Sequence, residues 1–162
     1  DSLPALDRLA PLQWNVQPGI RAQASPGPLK RALANLLGNA VKFTRRGARP
    51  VVNVRAAADA DGRLRVLVED NGVGFDPQLA ERLFTPFGRL HSGEDFHGTG
   101  IGLTIVQRIV ERHGGSVRAQ GQRDQGARFE FTLAAATAVP RPVFQAPGAS
   151  TAPVRAAIHL PP

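Results

Sequence analysis

Three groups of residues in this chain have types and spacings that can do chemistry. The first is Asn35, Asn39 and Lys42, spaced i, i+4 and then i+3, which places them on one stripe of a helix. Asparagine is a poor helix former, and this stripe borders a leucine-rich face. Two readings stand. The amides are buried and satisfied by a neighbouring loop, or the Asn39 oxygen faces a hard cation and Lys42 a phosphate. Lys42 and Lys30 are the only lysines among 20 basic residues, which favours a specific task for Lys42.

The second group is "VEDNGVGFD", residues 68–76. Leu64, Val66, Val68 and Asp70 alternate onto one face of a strand, so three apolar neighbours place the carboxylate on a buried face. A buried carboxylate is costly unless something donates hydrogen bonds to it. Backbone amides of the following turn can do so, as in an Asx-type turn. So can a ligand amine, such as the exocyclic amino group of a base, approaching past Gly72 and Gly74. Asp70 alone does not decide between them.

The third group is "HGTGIGLTIVQRIVERHGG", in which Gly98, Gly100 and Gly102 lead into an amphipathic helix. Unpaired first-turn amides and the helix dipole both favour an anion at such a start. A flexible hinge is the competing reading. The spacing GxGxG matches neither the P-loop nor the dinucleotide fingerprint.

Other constellations are weaker. His91, Glu94, Asp95 and His97 fit no helical or strand ligand geometry and read as solvated loop residues. No Ser-His-Asp arrangement stands out, and with no cysteine there is neither a thiol nucleophile nor a disulfide. Phe84 and Phe87 flank Pro86 and read as anchors docking their loop on the core.

The elements that must hold these groups follow from periodicity. Residues 1–11 read as a helical lead-in from an upstream segment. Residues 12–16 and 20–24 read as short strands around Pro18-Gly19. Pro26-Gly27-Pro28 opens a helix near 29–44, with Leu33, Leu36, Leu37, Ala40 and Val41 at helical spacing. Strands 51–57 and 63–70 form a hairpin across Asp61-Gly62. A short helix is predicted at 77–83 and a second strong helix at 99–113, ended by Gly114-Gly115. Arg108, Arg112 and His113 suit its C-terminal dipole. Strands at 116–120 and 127–133 follow, with Phe129, Phe131 and Leu133 on one face. Residues 134–162, rich in Ala and Pro, read as a linker or tail.

A chain of 162 residues with 42% apolar content suits one domain with a proper core, residues 12–133. No run reaches the roughly 20 apolar residues of a membrane span. The absence of methionine, even at position 1, suggests a piece of a longer or processed protein. The net charge of +7 is dispersed, its densest groups being Arg45-Arg46 with Arg49 and Arg63 with Arg65. Without basic-aromatic interleaving, a solvated surface that also suits polyanionic ligands is favoured over a nucleic-acid groove.

Taken in order, the segments resemble the ATP-binding catalytic domain of sensor histidine kinases, in the wider group of gyrase-type and heat-shock-chaperone ATPases. "LANLLGNAVKFT" resembles the N box, "EDNGVGFD" the G1 box, "LFTPFGRL" the F box and "GTGIGLTIVQRIVERHGG" the G2 box. The F and G2 boxes are similar to those of phytochrome-type kinases. The resemblance implies the Bergerat fold: an α/β two-layer sandwich with a mixed, mostly antiparallel sheet and three helices on one face.

By the same resemblance, Asp70 receives the adenine amino group while Gly72 and Gly74 let the base approach. Asn39 holds Mg2+, with Asn35 on the same stripe, and Lys42 meets phosphate. Residues 76–98 form a lid over ATP anchored by Phe84 and Phe87, and Arg89 reaches the γ-phosphate. Gly98, Thr99, Gly100, Gly102 and Leu103 belong to the segment that wraps the phosphates. Asn35, Lys42 and Arg89 are then the expected catalytic residues. Gyrase-type ATPases and anti-sigma-factor kinases carry a glutamate general base where this chain has Asn35, which cannot take a proton. That points to a histidine acceptor supplied elsewhere, since His91, His97, His113 and His159 lie in no long dimerisation helix. The expected partners are a histidine-bearing dimerisation domain, which makes the homodimer, and a response regulator, in the cytoplasm and without nucleic acid or direct membrane insertion. The rival expectation is a degenerate nucleotide-binding sensor or scaffold without phosphotransfer.

Overall fold

Leucine and alanine at every third or fourth position from Leu29 give helix α1 (Pro26–Thr44) one continuous apolar stripe. In the computed structural model, which describes residues 11–44, 49–86, 100–133 and 156–157, that stripe buries Leu29, Ala32, Leu33, Leu36 and Ala40. It packs on a five-stranded sheet. The strands are β1 (Gln13–Val16), β3 (Val51–Ala58), β4 (Leu64–Asp70), β5 (Val117–Gln122) and β6 (Gly126–Leu133), in the order β1-β3-β4-β6-β5. A separate two-residue pairing joins β2 (Arg21–Ala22) to β7 (Ala156–Ala157).

Alternation along the strands sorts the sheet into two faces. Val52, Val54, Val66, Val68, Phe129, Phe131 and Leu133 are buried on one. That face carries α1, a 3-10 helix at Pro77–Phe84 and helix α2 (Gly102–Arg112). The other carries no helix among the described residues and presents Arg55, Arg65, Glu69, Arg128 and Glu130 in cross-strand ion pairs. The sandwich and its mixed sheet are those expected. Among the described residues only the β1–β3 pairing is parallel, because α1 crosses back between those strands.

Three local details go beyond or differ from the sequence-based expectation. β1 and β2 flank the Pro18-Gly19 turn without pairing to each other; β1 takes the sheet edge beside β3 and β2 pairs with β7. The segment after Asp76 is 3-10 rather than α-helical, starting from an Asp76 side chain that accepts from the Gln78 amide with Pro77 next in line. Helix α2 begins at Gly102 rather than 99, because Gly100 is left-handed at φ +68° and Ile101 supplies the first carbonyl, to Ile105. The β3–β4 hairpin crosses Asp61-Gly62 as expected, and the Asp59 side chain holds it by accepting from the Asp61 and Arg63 amides at 3.0 and 2.9 Å. Residues 1–10 of the 1–11 lead-in, Arg45 to Ala48, and the 134–162 tail apart from Ala156–Ala157 lie outside the described residues.

Two glycines give opposite expectations. Gly126 has φ +97°, and a Cβ there would stand 2.0 Å from the Asp70 carbonyl oxygen. Gly38, mid-helix in α1, has open space where a Cβ would go. Gly126→Ala should lower stability by about 3 kcal/mol or more, from backbone strain plus a backbone clash. Gly38→Ala should raise it by about 1 kcal/mol. Urea unfolding of the two variants checks both signs.

Candidate functional site

Strand β4 ends on Asp70, which is 8% exposed. Its Oδ1 accepts the Gly72 amide at 2.9 Å, so the Asx-type turn forms. That bond does not fully offset burial, which raises the carboxyl's pKa above its ordinary value; amides of Gly72 and Ala127 and the nearby Thr44 hydroxyl pull the other way. Thr44 Oγ1 is buried and, among the described residues, lacks a hydrogen-bond partner of proper geometry. A carboxylate and an orphaned hydroxyl side by side suit a ligand that carries both a donor and an acceptor.

The turn after Asp70 is held from three sides. Asn71 Oδ1 accepts the Val51 amide and its Nδ2 donates to the Arg49 carbonyl, both at 2.8 Å, which ties the turn to the start of β3. The Val73 amide donates to the Phe43 carbonyl at the end of α1. Gly72 presses so closely there that a Cβ would lie 2.4 Å from that oxygen. Gly74, at φ +57°, lies against the Gln122 carbonyl, where a Cβ would come within 1.9 Å. Both glycines therefore answer first to backbone packing, a demand that local sequence does not reveal. Asn71 went unassigned in the sequence for the same reason, since its partners are about twenty residues away.

Asn35, Asn39 and Lys42 share one side of α1, all partly buried. Asn35 Nδ2 donates to the Arg31 carbonyl one turn back. A Cβ on Gly102 would sit 2.7 Å from Asn35 Oδ1, so the Asn35 side chain lies directly against the start of α2. The Lys42 ammonium lies 5.1 Å from the Phe43 ring centroid. The stripe thus links two places. Asn35 meets the glycine-led start of α2, while Phe43 and Thr44 meet the Asp70 turn. Asn35 and Phe43 are about 12 Å apart along the helix axis, the length scale of a base with a phosphate chain.

Leu103 is buried in the first turn of α2, and Gly100 lies just before it. Phe84, at the end of the 3-10 helix, packs on the core, and its carbonyl accepts the Thr104 hydroxyl at 3.0 Å. Phe87, Arg89, Gly98 and Thr99 lie outside the described residues, as do His91, Glu94, Asp95 and His97. At the far end of α2, His113 Nδ1 bonds the Ile109 carbonyl at 2.7 Å and Nε2 accepts the Ser25 amide at 3.2 Å. His113 therefore joins the end of α2 to the start of α1, besides its expected role at the dipole. Among the described residues no group of three or more His, Cys, Asp or Glu side chains could hold a metal. A cation at Asn39 would share its ligands with a bound anion, as Mg2+ does with phosphates.

Residues 24–137 match the model of the histidine kinase-, DNA gyrase B- and HSP90-like ATPase family. The chain belongs to that family. It is 38% identical over 130 residues to the sensor histidine kinase ZraS of Klebsiella oxytoca, covering 80% of this chain and 27% of the relative. It is 41% identical over 105 residues to cyanobacterial phytochrome A of a Nostoc species, covering 65% of this chain and 14% of the relative. The chain thus spans about a quarter or less of these relatives. Among solved structures, the mycobacterial sensor histidine kinase MprB matches with TM-score 0.64 and 28% identity, over 75% of this chain and 81% of the other. Full-length ShkA in complex with AMPPNP matches with TM-score 0.64 and 35% identity, over 80% and 26%. The fold of this ATPase domain is therefore that of histidine kinase catalytic domains, and phytochrome-type relatives stand beside other sensor kinases.

Because its pKa is raised in the folded state, Asp70 holds its proton more tightly folded than unfolded. Its ionisation therefore costs stability as pH rises through the range between the two values. Asp70→Asn should melt at a higher temperature than the parent at neutral pH, with the gap closing as pH falls below that range. Thr104→Val, which removes the bond to Phe84, should cost about 1 kcal/mol in urea unfolding.

Proposed function

We propose that this domain binds Mg-ATP and transfers its γ-phosphoryl group to a histidine on a dimerisation domain of the same protein. The observation that carries this reading is Asp70, a buried carboxylate kept at a cost beside an unpaired hydroxyl. An adenine amino group donating to Asp70, with a ring nitrogen near Thr44, would satisfy both. Gly72 and Gly74 shape the turn that the base lies against. From there the stripe on α1 runs toward the start of α2, where Gly100, Gly102 and the first amides of the helix suit phosphate.

In this reading Asn39 holds Mg2+ through its side-chain oxygen, Lys42 meets the phosphates, and Asn35 braces the glycine start of α2. When bound, Mg2+ would supply neutralisation of the charge on the phosphates. Catalysis then consists of positioning and charge stabilisation, to which Arg89 at the γ-phosphate and the phosphate-wrapping residues Gly98, Thr99, Gly100, Gly102 and Leu103 would contribute, with Phe84 and Phe87 as the anchors of the lid. Asn35 cannot act as a base, which favours a nucleophile that needs little deprotonation, such as a neutral imidazole nitrogen, over water or serine. The partners in this scheme are the histidine-bearing domain, through which the protein dimerises, and a response regulator that receives the phosphoryl group, in the cytoplasm where ATP is available. No helix of the described residues is long and apolar enough to cross a membrane.

The test supplies a separate histidine-bearing dimerisation segment with labelled ATP and follows label onto the histidine. Asn39→Ala, with its fold intact, should lower transfer about 100-fold, and chelation of Mg2+ should abolish it. Nucleotide binding without transfer to any such segment would instead favour a sensor or scaffold. No Mg-nucleotide binding at all would sink both readings.

A further inference from the structure

The sheet face that carries no helix among the described residues holds a polar cavity, about 170 Å³, lined by Asp59, Arg63, Arg65, Ser116, Arg118, Glu130 and Thr132. Strand register builds it. Arg65 stands opposite Thr132 across β4–β6, and Arg118 opposite Glu130 across β5–β6. Asp59 and Arg63 come from the β3–β4 hairpin. Arg65 lies about 17 Å along β4 from Asp70 and on the opposite face, so this cavity is separate from the candidate nucleotide site.

Charge accounting inside the cavity is unequal. Both carboxylates are engaged: Asp59 Oδ1 accepts the Asp61 and Arg63 amides, and Glu130 pairs with Arg65 at 3.5 Å and Arg128 at 3.6 Å. Among the described residues, Arg63 and Arg118 have no carboxylate within ion-pair distance. Two hydroxyls share the lining, with the Ser116 and Thr132 oxygens 3.3 Å apart and Thr132 Oγ1 accepting the Ser116 amide at 3.0 Å. Two guanidiniums lacking counter-ions, beside a hydroxyl pair that can spare one proton, match a doubly charged tetrahedral oxyanion better than a carboxylate, which neutralises only one. A phosphate monoester carries close to two charges at neutral pH.

The geometry points to a binding site for a phosphate monoester group in this cavity, held by Arg63 and Arg118 with Ser116 and Thr132. The group is either a free phosphate or one borne on a protein side chain, and its recognition is the same. The rival role of these arginines is general solubility of an ion-paired sheet face, which predicts no localised binding.

The test titrates the 162-residue chain with inorganic phosphate and, separately, with a phosphoserine peptide, following backbone amide signals by NMR at constant ionic strength. Saturable shifts confined to residues 59–65 and 116–118 are expected, weakened about tenfold or more in the Arg63→Gln/Arg118→Gln double variant. Thermal unfolding of that variant should match the parent, since both side chains are exposed. Tighter binding of the peptide than of phosphate assigns a protein-borne group, and equal binding a free one. Absence of saturable shifts with either probe, shifts that persist in the double variant, or equal shifts with matched chloride would overturn the site.

Discussion

Burial of a single carboxylate at the end of β4 organises this molecule. Asp70 can occupy the apolar face only because its turn brings an amide back to it and because three distant backbone segments close around that turn. Gly72 fits against the end of α1, Gly74 against the β5–β6 connection and Gly126 against Asp70 itself, each without room for a side chain. The packing of the sheet, the first long helix and the last hairpin thus converges on one costly group. A fold selected for stability alone has little reason to keep it there.

Periodicity carried much of the architecture. The alternation Leu64, Val66, Val68, Asp70 placed the carboxylate on the buried face, and leucine spacing located α1 with its asparagine stripe along the edge of the core. Local chemistry was harder to see wherever the deciding contact is remote. Asn71 looks like an ordinary turn residue until β3 supplies its partners, and Thr44 like a helix end until Asp70 arrives beside it. The parallel place of β1 was hidden because pairing depends on what α1 returns the chain to, not on the strand's own residues. The shortened start of α2 depends on one left-handed glycine among several, which spacing does not single out.

The two faces of the sheet divide the charge as well as the packing. On the helical face polar groups are few, partly buried and grouped along α1 and the Asp70 turn. On the other, arginines outnumber carboxylates, and the ladder Arg55, Glu69, Arg128, Glu130, Arg65 shares two acids among three bases. Such exposed pairs add little stability. They do keep this face of the sheet polar rather than an exposed apolar patch.

The contacts around Gly72 and Gly126 also bear on the order of assembly. The β3–β4 hairpin closes over a few residues, but the Asp70 turn is complete only when Phe43 and the β5–β6 connection have arrived from far along the chain in both directions. Loop closure of that range comes late in folding. A ligand that depends on this turn therefore meets only finished molecules, and its occupancy reports that the whole domain, not one hairpin of it, has folded.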